Sequence, residues 1–539
     1  MPENNDTRFS QRRDLRNDKR TIAGRTEPRR WCGQGFFPFR LEVLTPVFIG
    51  SGDDLSPLEY VLREEKNGWR LHSIDLQSWL MEHAADTAVQ NIIASGDLNR
   101  IYRMLDEKVD TGRFSVFSSR IDDPSLAEEL KRAYTGNQTR QSGQKGKTGE
   151  VRAALRNPAD GCLYIPGSSL KGAISTPLIN WLDKPGASSL RSDMEKDPKR
   201  GVTNRLREMF GSIGEHAMQA LKVSDVSASP SAGAVVRALE RSKTPGKQGT
   251  PKPPCEIILP GEDALWGRLF MDCPKKAVIT LPDGQSVPFR ELVRLCNAFY
   301  TKRFTEELEK FYKLPHFKDV HAALQPVVSR VQALDENSML LRVGHYSHVE
   351  SVTVENNKPF TRMGKNGTPM PWGTTRTLAG GKLPFGWIIL HFCSREEYEH
   401  GLRQSEEARM TAAAKQREDA EERRRVAAER AAYAVQLRRQ QEERHQAEEQ
   451  KKAEERARQE ELARCMAELS PEEALILKLK TAPDEALSME LFREMEGWTP
   501  ELQKKAAEAL CGCWQTLGKW DGKQSKKQEA KIKRVKQLL

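Results

Sequence analysis

An α+β core, followed by a long charged helix and a small helical bundle, is the architecture that this 539-residue sequence predicts. Three observations point to it. Residues 36–394 mix short strand-spaced apolar stretches with helical patterns and hairpin turns, without a regular βαβ repeat. Residues 395–469 change to Ala, Glu, Arg, Gln and Lys with no proline. A cap-and-proline helix start, Ser470-Pro471-Glu472-Glu473, then opens the last segment, 470–539.

The elements follow in order. Residues 1–35 are polar and carry Arg12, Arg13, Arg29 and Arg30, which predicts a basic disordered tail. Order is expected from Phe36, because Phe37, Phe39, Leu41 and Val43 recur at every second position, the spacing of a half-buried strand. Pro38 lacks an N–H and suits the start of that strand. Leu58 to Leu62 reads as the next strand, and Asn67-Gly68 as a hairpin turn into Trp69-Arg70-Leu71. Asp75 is placed to cap a helix beginning near Leu76. A Gln/Lys/Gly-rich loop spans 137–149, and a Pro/Gly/Lys loop spans 243–254. A split of the core into two subdomains is expected near 228–254. In the 395–469 helix, apolar residues are too sparse for a coiled-coil seam, so a single helix held by i,i+4 charge pairs is expected. Residues 470–539 read as a helical bundle ending in a basic tail that includes Lys531, Lys533, Arg534 and Lys536.

The totals narrow the function classes. A formal net charge of +10 suits a polyanionic partner. No run approaches the roughly 18–20 apolar residues of a membrane span, and no secretory signal is visible. The 9 cysteines are scattered, which suits reduced thiols in a cytoplasm. Cys511-Gly-Cys513 has no second ligand pair at zinc spacing, so no metal and no cofactor are expected.

Three stretches carry candidate chemistry. Tyr164-Ile165-Pro166-Gly167-Ser168-Ser169-Leu170-Lys171-Gly172 turns a strand into a helix. A helix start offers free N–H groups; Ser168 or Ser169 can cap it, Gly167 permits close approach, and Lys171 adds a full charge. The order of Lys171 and Gly172 excludes a Walker A loop. Leu44-Thr45-Pro46-Val47-Phe48-Ile49-Gly50-Ser51-Gly52 delivers two glycines to a strand end, where backbone can approach phosphate or sugar. Leu341-Arg342-Val343-Gly344-His345, Gly373-Thr374-Thr375-Arg376-Thr377 and Leu383-Pro384-Phe385-Gly386-Trp387 form the third. Arg342, Thr374, Thr375 and Arg376 are its candidate phosphate contacts. Each stretch also has an ordinary structural reading, as a turn, a strand end or a surface charge.

Together these stretches resemble the RAMP superfamily, and within it the Csm-type subunits that cap the 3′ end of crRNA. The opening Thr45-Pro46-Val47 to Gly52, Ser56-Pro57-Leu58-Glu59-Tyr60-Val61, Ile165 to Gly172, Leu221 to Asp225 and Pro384 to Trp387 carry the likeness, over roughly 36–394. The resemblance implies a ferredoxin-like, RRM-like core with helical insertions. It implies a non-catalytic, crRNA-binding subunit of a cytoplasmic type III-A CRISPR complex active in antiviral defence. Expected partners are crRNA, the neighbouring RAMP backbone subunit, other Csm subunits and host nucleases during 3′ trimming. The alternatives are a different RAMP subunit of a type III complex, a scaffold acting through the long helix, or a metal-independent endoribonuclease using His345, Tyr346 and His348. Asp53 and Asp54 are adjacent loop carboxylates, a poor arrangement for holding one metal ion.

Overall fold

The structure is a computed structural model that describes residues 35–135, 149–183, 189–197, 199–247, 249, 252–261, 265–271, 278–355, 373–522 and 524–539. The arginine-bearing tail and nearly all of the Gln/Lys/Gly loop lie outside these residues. The chain divides into two compact units, one running to Ala431 and one from Ala432 to Leu539.

In the first unit, strand Phe36–Val43 is the middle of a five-stranded sheet. The order is Ser338–Arg342, Trp387–Phe392, Phe36–Val43, Leu265–Met271, Leu221–Val223, and every neighbouring pair is antiparallel. Phe37, Phe39, Leu41 and Val43 are buried, as their alternation requires. Helices Gly167–Leu182 and Phe289–Glu307 pack on this sheet. Phe289 stacks on Phe37 at 3.7 Å, and Tyr300 and Phe304 meet Trp387 edge-on. The Tyr300 hydroxyl donates to Ala173 O at 2.8 Å and joins the two helices. Each such buried ring contributes on the order of 2–3 kcal/mol. Directly after Glu307 the helix widens into a π turn, Leu308–Tyr312.

A second sheet has seven strands in the order Gly50–Leu55, Val151–Ala154, Cys255–Ile258, Gly233–Val236, Ser115–Ile121, Gly68–Ile74, Tyr60–Glu65. Its two parallel contacts, Ala234 with Arg120 and Cys255 with Arg152, make it a mixed sheet. The Asn67-Gly68 hairpin is present, closing on the pair Glu65 and Gly68. Asp75 caps helix Leu76–Glu82 through the Ser78 N–H at 3.0 Å, and Asp86 and Asp97 cap the next two helices in the same way. The two sheets interleave along the chain, which passes between them several times.

A helix of 74 residues, Arg395–Glu468, leaves the first sheet. Its early turns are part of the first unit. Tyr398 sits edge-on to Phe36 and Trp266, and Gly401 has no Cβ because one would collide with the Trp266 ring. Gln416 donates to Val116 O at 3.0 Å, and Arg423 to Arg113 O at 2.9 Å. These contacts put the division between the units inside the helix. Further along, Tyr433 and Val435 are exposed, and i,i+4 pairs such as Arg439–Glu443 at 3.0 Å line the surface.

The second unit holds helices Pro471–Thr481, Glu485–Glu494, Pro500–Thr516 and Lys526–Leu538 around Leu479, Leu491, Leu510, Trp514 and Val535. Ser470 and Glu473 form a reciprocal capping box. Among the described residues no helix is long and apolar enough to cross a membrane.

Candidate nucleic-acid interface

Two of the three candidate stretches converge. Trp387 N–H donates to Thr45 Oγ1 at 2.9 Å, and Gly386 N–H to Pro46 O at 2.9 Å. His345 N–H donates to Phe48 O at 2.8 Å. Gly344 makes that approach possible: its φ is +81°, and a Cβ there would lie 2.5 Å from Phe48 O. The strand ends 44–52, 342–348 and 384–387 therefore form one corner of the core.

Beyond this corner lies an open edge. Every residue from Gly50 to Asp54 is exposed, and the pairing register breaks between Gly50 and Asp54. Ser51 Oγ donates to Ala153 O at 3.3 Å and accepts from Asp53 N–H at 3.2 Å. Gly52 has φ +96° and open space where a Cβ would stand. Asp54 lies opposite Arg152 on the next strand.

A cationic and aromatic cluster flanks that edge. Arg152 Nη1 donates to His345 Nε2 at 3.3 Å and to the Tyr346 hydroxyl at 3.2 Å. Lys252, itself paired with Glu240 at 3.4 Å, stands 5.8 Å from the Tyr346 ring. Among the described residues no carboxylate reaches ion-pair distance of Arg152, so its charge is met only by neutral acceptors. Because Arg152 is a donor only, His345 Nε2 is an acceptor and the ring proton sits on Nδ1. Partial burial, then Arg152 and Lys252, push the His345 pKa below the usual histidine value. Burial raises that of Tyr346.

The loop carrying these rings is strained. Tyr346 and His348 have φ of 62° and 59°, and among the described residues they are the only non-glycine positions with positive φ. Such conformations cost on the order of 1–3 kcal/mol each and persist where the surroundings enforce them. His348 does not share the open face. It accepts the Thr377 N–H at 3.3 Å, and burial, reinforced by Arg376 and Arg342, lowers its pKa to about 3.

Arg342 and Arg376, expected as phosphate contacts, are instead interior residues with 4% and 1% exposure. Arg342 donates to Glu307 Oε2 at 2.8 Å, Ser351 Oγ at 3.2 Å and Phe385 O at 3.0 Å. Arg376 Nε lies 2.6 Å from Glu307 Oε1, at ion-pair distance although its N–H is not in hydrogen-bond alignment; its Nη2 donates to Glu350 at 3.2 Å. Buried this deeply and paired with carboxylates, neither guanidinium reaches a ligand at the surface without unpairing a buried acid. Thr374 is exposed and Thr375 half-buried; Thr375 pairs with Ser242 across the sheet.

The Gly167 helix start also departs from expectation. Its first N–H donates to Asp225 Oδ1 at 2.7 Å, so an intramolecular carboxylate occupies the position read as an anion site. Gly167 is glycine because a Cβ would collide with Val223 O, a matter of strand contact rather than ligand approach. Ser168 is exposed, Ser169 half-buried, and neither caps the helix. Lys171, one turn on, is half-buried.

Arg152 and Lys252 were not legible as site residues. Arg152 sits in a four-residue strand, and Lys252 in a loop whose composition announces only a turn. Their meeting with Tyr346 is a product of the fold.

A family model described as the RAMP superfamily matches residues 40–313, just over half of the chain. The chain belongs to the RAMP superfamily. The matched span contains the exposed edge, Arg152, Lys252 and the Gly167 helix, whereas the strained loop and Trp387 of this RAMP protein lie beyond it. Among solved structures, it is similar to a chain in the cryo-EM structure of a Csm–crRNA–target RNA ternary complex of a type III-A CRISPR–Cas system. Identity is 20%, TM-score 0.45, and coverage 66% of this chain and 100% of that one. It is also similar to T. onnurineus Csm5, at 19% identity and TM-score 0.41, covering 65% of this chain and 99% of that one. A search of curated proteins returns no match.

Proposed function

We propose that this RAMP protein is a non-catalytic crRNA-binding subunit of a type III-A Csm effector complex in the cytoplasm. It caps the guide toward its 3′ end and assists crRNA maturation and assembly. Its neighbours are a RAMP backbone subunit and other Csm subunits, with host nucleases trimming the end it leaves uncovered. The observation that carries the RNA-binding part is the Arg152–His345–Tyr346 cluster beside the exposed Gly50–Leu55 edge. A guanidinium that meets no carboxylate among the described residues, two aromatic rings and accessible backbone suit a single-stranded ribose-phosphate chain. The 3′-end placement rests on the likeness of the Thr45 to Val61 segment to capping subunits.

Strand order supports a ferredoxin-like reading of the core. Trp387–Phe392, Phe36–Val43, Leu265–Met271 and Leu221–Val223 are the fourth, first, third and second strands of that pattern. Helices Gly167–Leu182 and Phe289–Glu307 occupy its two crossovers. The non-catalytic reading is supported by the histidines: the His345 Nε2 lone pair faces Arg152, and that of His348 is held by Thr377 N–H.

The test is to purify the complex from its native cell, sequence the bound RNA and incubate the full-length chain with labelled repeat RNA. Retained guides, salt-sensitive binding and no cleavage are expected. Cleavage abolished by His345→Ala would overturn the non-catalytic reading, and a complex free of RNA would overturn the whole of it.

A further inference from the structure

The last helix, Lys526–Leu538, closes the bundle of the second unit by burying Ile532 and Val535 in its core. Its charge is one-sided: Lys526, Lys527, Lys531, Lys533, Arg534 and Lys536 stand against a single acid, Glu529. The earlier part of the bundle has the opposite balance, with 9 acids and 5 bases in residues 470–508. Positive charge is thus gathered onto one element.

The helical repeat puts Lys526, Ala530, Lys533, Arg534 and Gln537 on the side opposite Ile532 and Val535, and all five are exposed. Among the described residues Lys526, Lys527, Lys533 and Arg534 make no ion pair, although Glu529 stands four positions before Lys533. Bases on the neighbouring segments are matched: Lys505 lies 3.6 Å from Glu473, and Lys519 pairs with Glu485. Lys536 stands 5.4 Å from the Trp520 ring, a contact that holds the cation without cancelling its charge.

Two features go beyond what a solvated helix needs. Lys526 and Lys527 occupy the first turn, directly after the Ser525 cap, where the helix dipole favours acids, so their charge is unfavourable to the helix itself. The exposed face also carries no large apolar side chain. A protein partner requires apolar groups at the dry centre of its interface, whereas a nucleic acid is held through phosphate charge and counterion release. Ala530, between Lys526 and Arg534, leaves room for a sugar-phosphate chain to lie close.

We propose that the face bearing Lys526, Lys533 and Arg534 is a second nucleic-acid-binding surface, which grips the phosphate backbone without reading sequence. It lies outside the 40–313 span of the superfamily match and does not depend on the edge beside Arg152. The shared chemistry is a row of phosphodiesters, supplied by an RNA strand, a DNA strand or a DNA duplex.

The test uses the full-length protein, as wild type and with Arg152→Ala, and three fluorescein-labelled probes of one sequence: single-stranded RNA, single-stranded DNA and duplex DNA. Anisotropy is followed over a salt series. The triple variant Lys526→Gln, Lys533→Gln, Arg534→Gln is expected to weaken binding about tenfold in either background. On a single strand it should lower the slope of log K against log salt by about 2, at about 0.7 per phosphate released. Lys526→Arg with Lys533→Arg, which keeps both charges, should bind as the parent does. Equal losses on RNA and DNA strands assign the surface to the phosphate backbone alone; a loss confined to one probe names that polymer as the ligand. Unchanged affinity and slope in the triple variant on all three probes would overturn the proposal, as would a wild type that binds none of them. Capture of poly-L-glutamate in preference to every probe overturns it in favour of an acidic protein. An Arg152→Ala protein that binds like the wild type, beside a triple variant that does not, defeats the guide-binding edge and leaves this surface standing.

Discussion

Glu307 Oε1 lies 2.6 Å from Arg376 Nε, while its other oxygen accepts from Arg342 Nη1 at 2.8 Å, so one carboxylate neutralises two guanidinium groups inside the core. Among the described residues, removing that carboxylate leaves Arg342 with no acid and Arg376 with Glu350 alone. Unpairing buried charges costs about 3–5 kcal/mol. Glu307→Gln should therefore lower unfolding stability in urea by about that amount, because the amide keeps the shape but not the charge. A loss below about 1 kcal/mol would mean that the two arginines find other partners.

The same carboxylate sets an acid dependence. Burial alone would raise its pKa, but Arg342 and Arg376 together hold it at about 2, against 4.5 for the free group. Glu42 is likewise held at about 2, chiefly by its hydrogen bond with His391 and its contact with Arg330. Both are depressed in the folded state, so their stabilisation is complete above about pH 4.5 and is lost as pH falls from there toward 2. Stability measured across that window should fall, and it should fall less steeply in Glu307→Gln.

Arg152→Ala should weaken RNA binding by roughly tenfold and reduce the salt slope by about 0.7, with little change in Tm. His345→Ala removes a neutral ring and frees the guanidinium, so its effect should be smaller and should leave the slope unchanged. An unaltered slope in Arg152→Ala would remove this residue from the interface.

How far the sequence could be read depends on whether a residue's role is local. Alternation at Phe37, Phe39, Leu41 and Val43, the Asp75 cap, the Asn67-Gly68 hairpin and the Ser470-Pro471 helix start involve residues within a few positions of one another, and each could be read directly. The partner of Arg342 is 35 residues away, and that of Arg152 is 193 residues away at His345. No spacing rule links such pairs. Arg342 and Arg376, each near a glycine, therefore read equally as ligand contacts or surface charges, and the structure places both in core ion pairs. Gly167 shows the same ambiguity, because its need for space comes from Val223 on a strand that follows much later in the chain.

Glycines at the corner separate two costs. At Gly344 an alanine meets both an unfavourable φ of +81° and Phe48 O at 2.5 Å, so Gly344→Ala should cost roughly 3 kcal/mol. At Gly52 φ is +96° but the space is open, so Gly52→Ala should cost only about 1 kcal/mol. Equal losses, measured by denaturant unfolding, would show that the His345–Phe48 contact is loose in solution.

The early turns of the long helix lead to a prediction about where the chain can be cut. Tyr398 is 5% exposed against Phe36 and Trp266, and Arg423, at 6%, donates to Arg113 O and stands 3.8 Å from Asp75 Oδ2. A protein ending at residue 394 loses all of these and exposes the Trp266 and Phe36 rings. It should unfold at least about 2 kcal/mol more readily than one ending at residue 431 and should aggregate more. The longer version keeps the Tyr398, Gln416 and Arg423 contacts, so its first unfolding transition should coincide with that of the full chain. Equal stability of the two truncations would mean that the helix only rests on the core, and that residue 394 is the functional boundary after all.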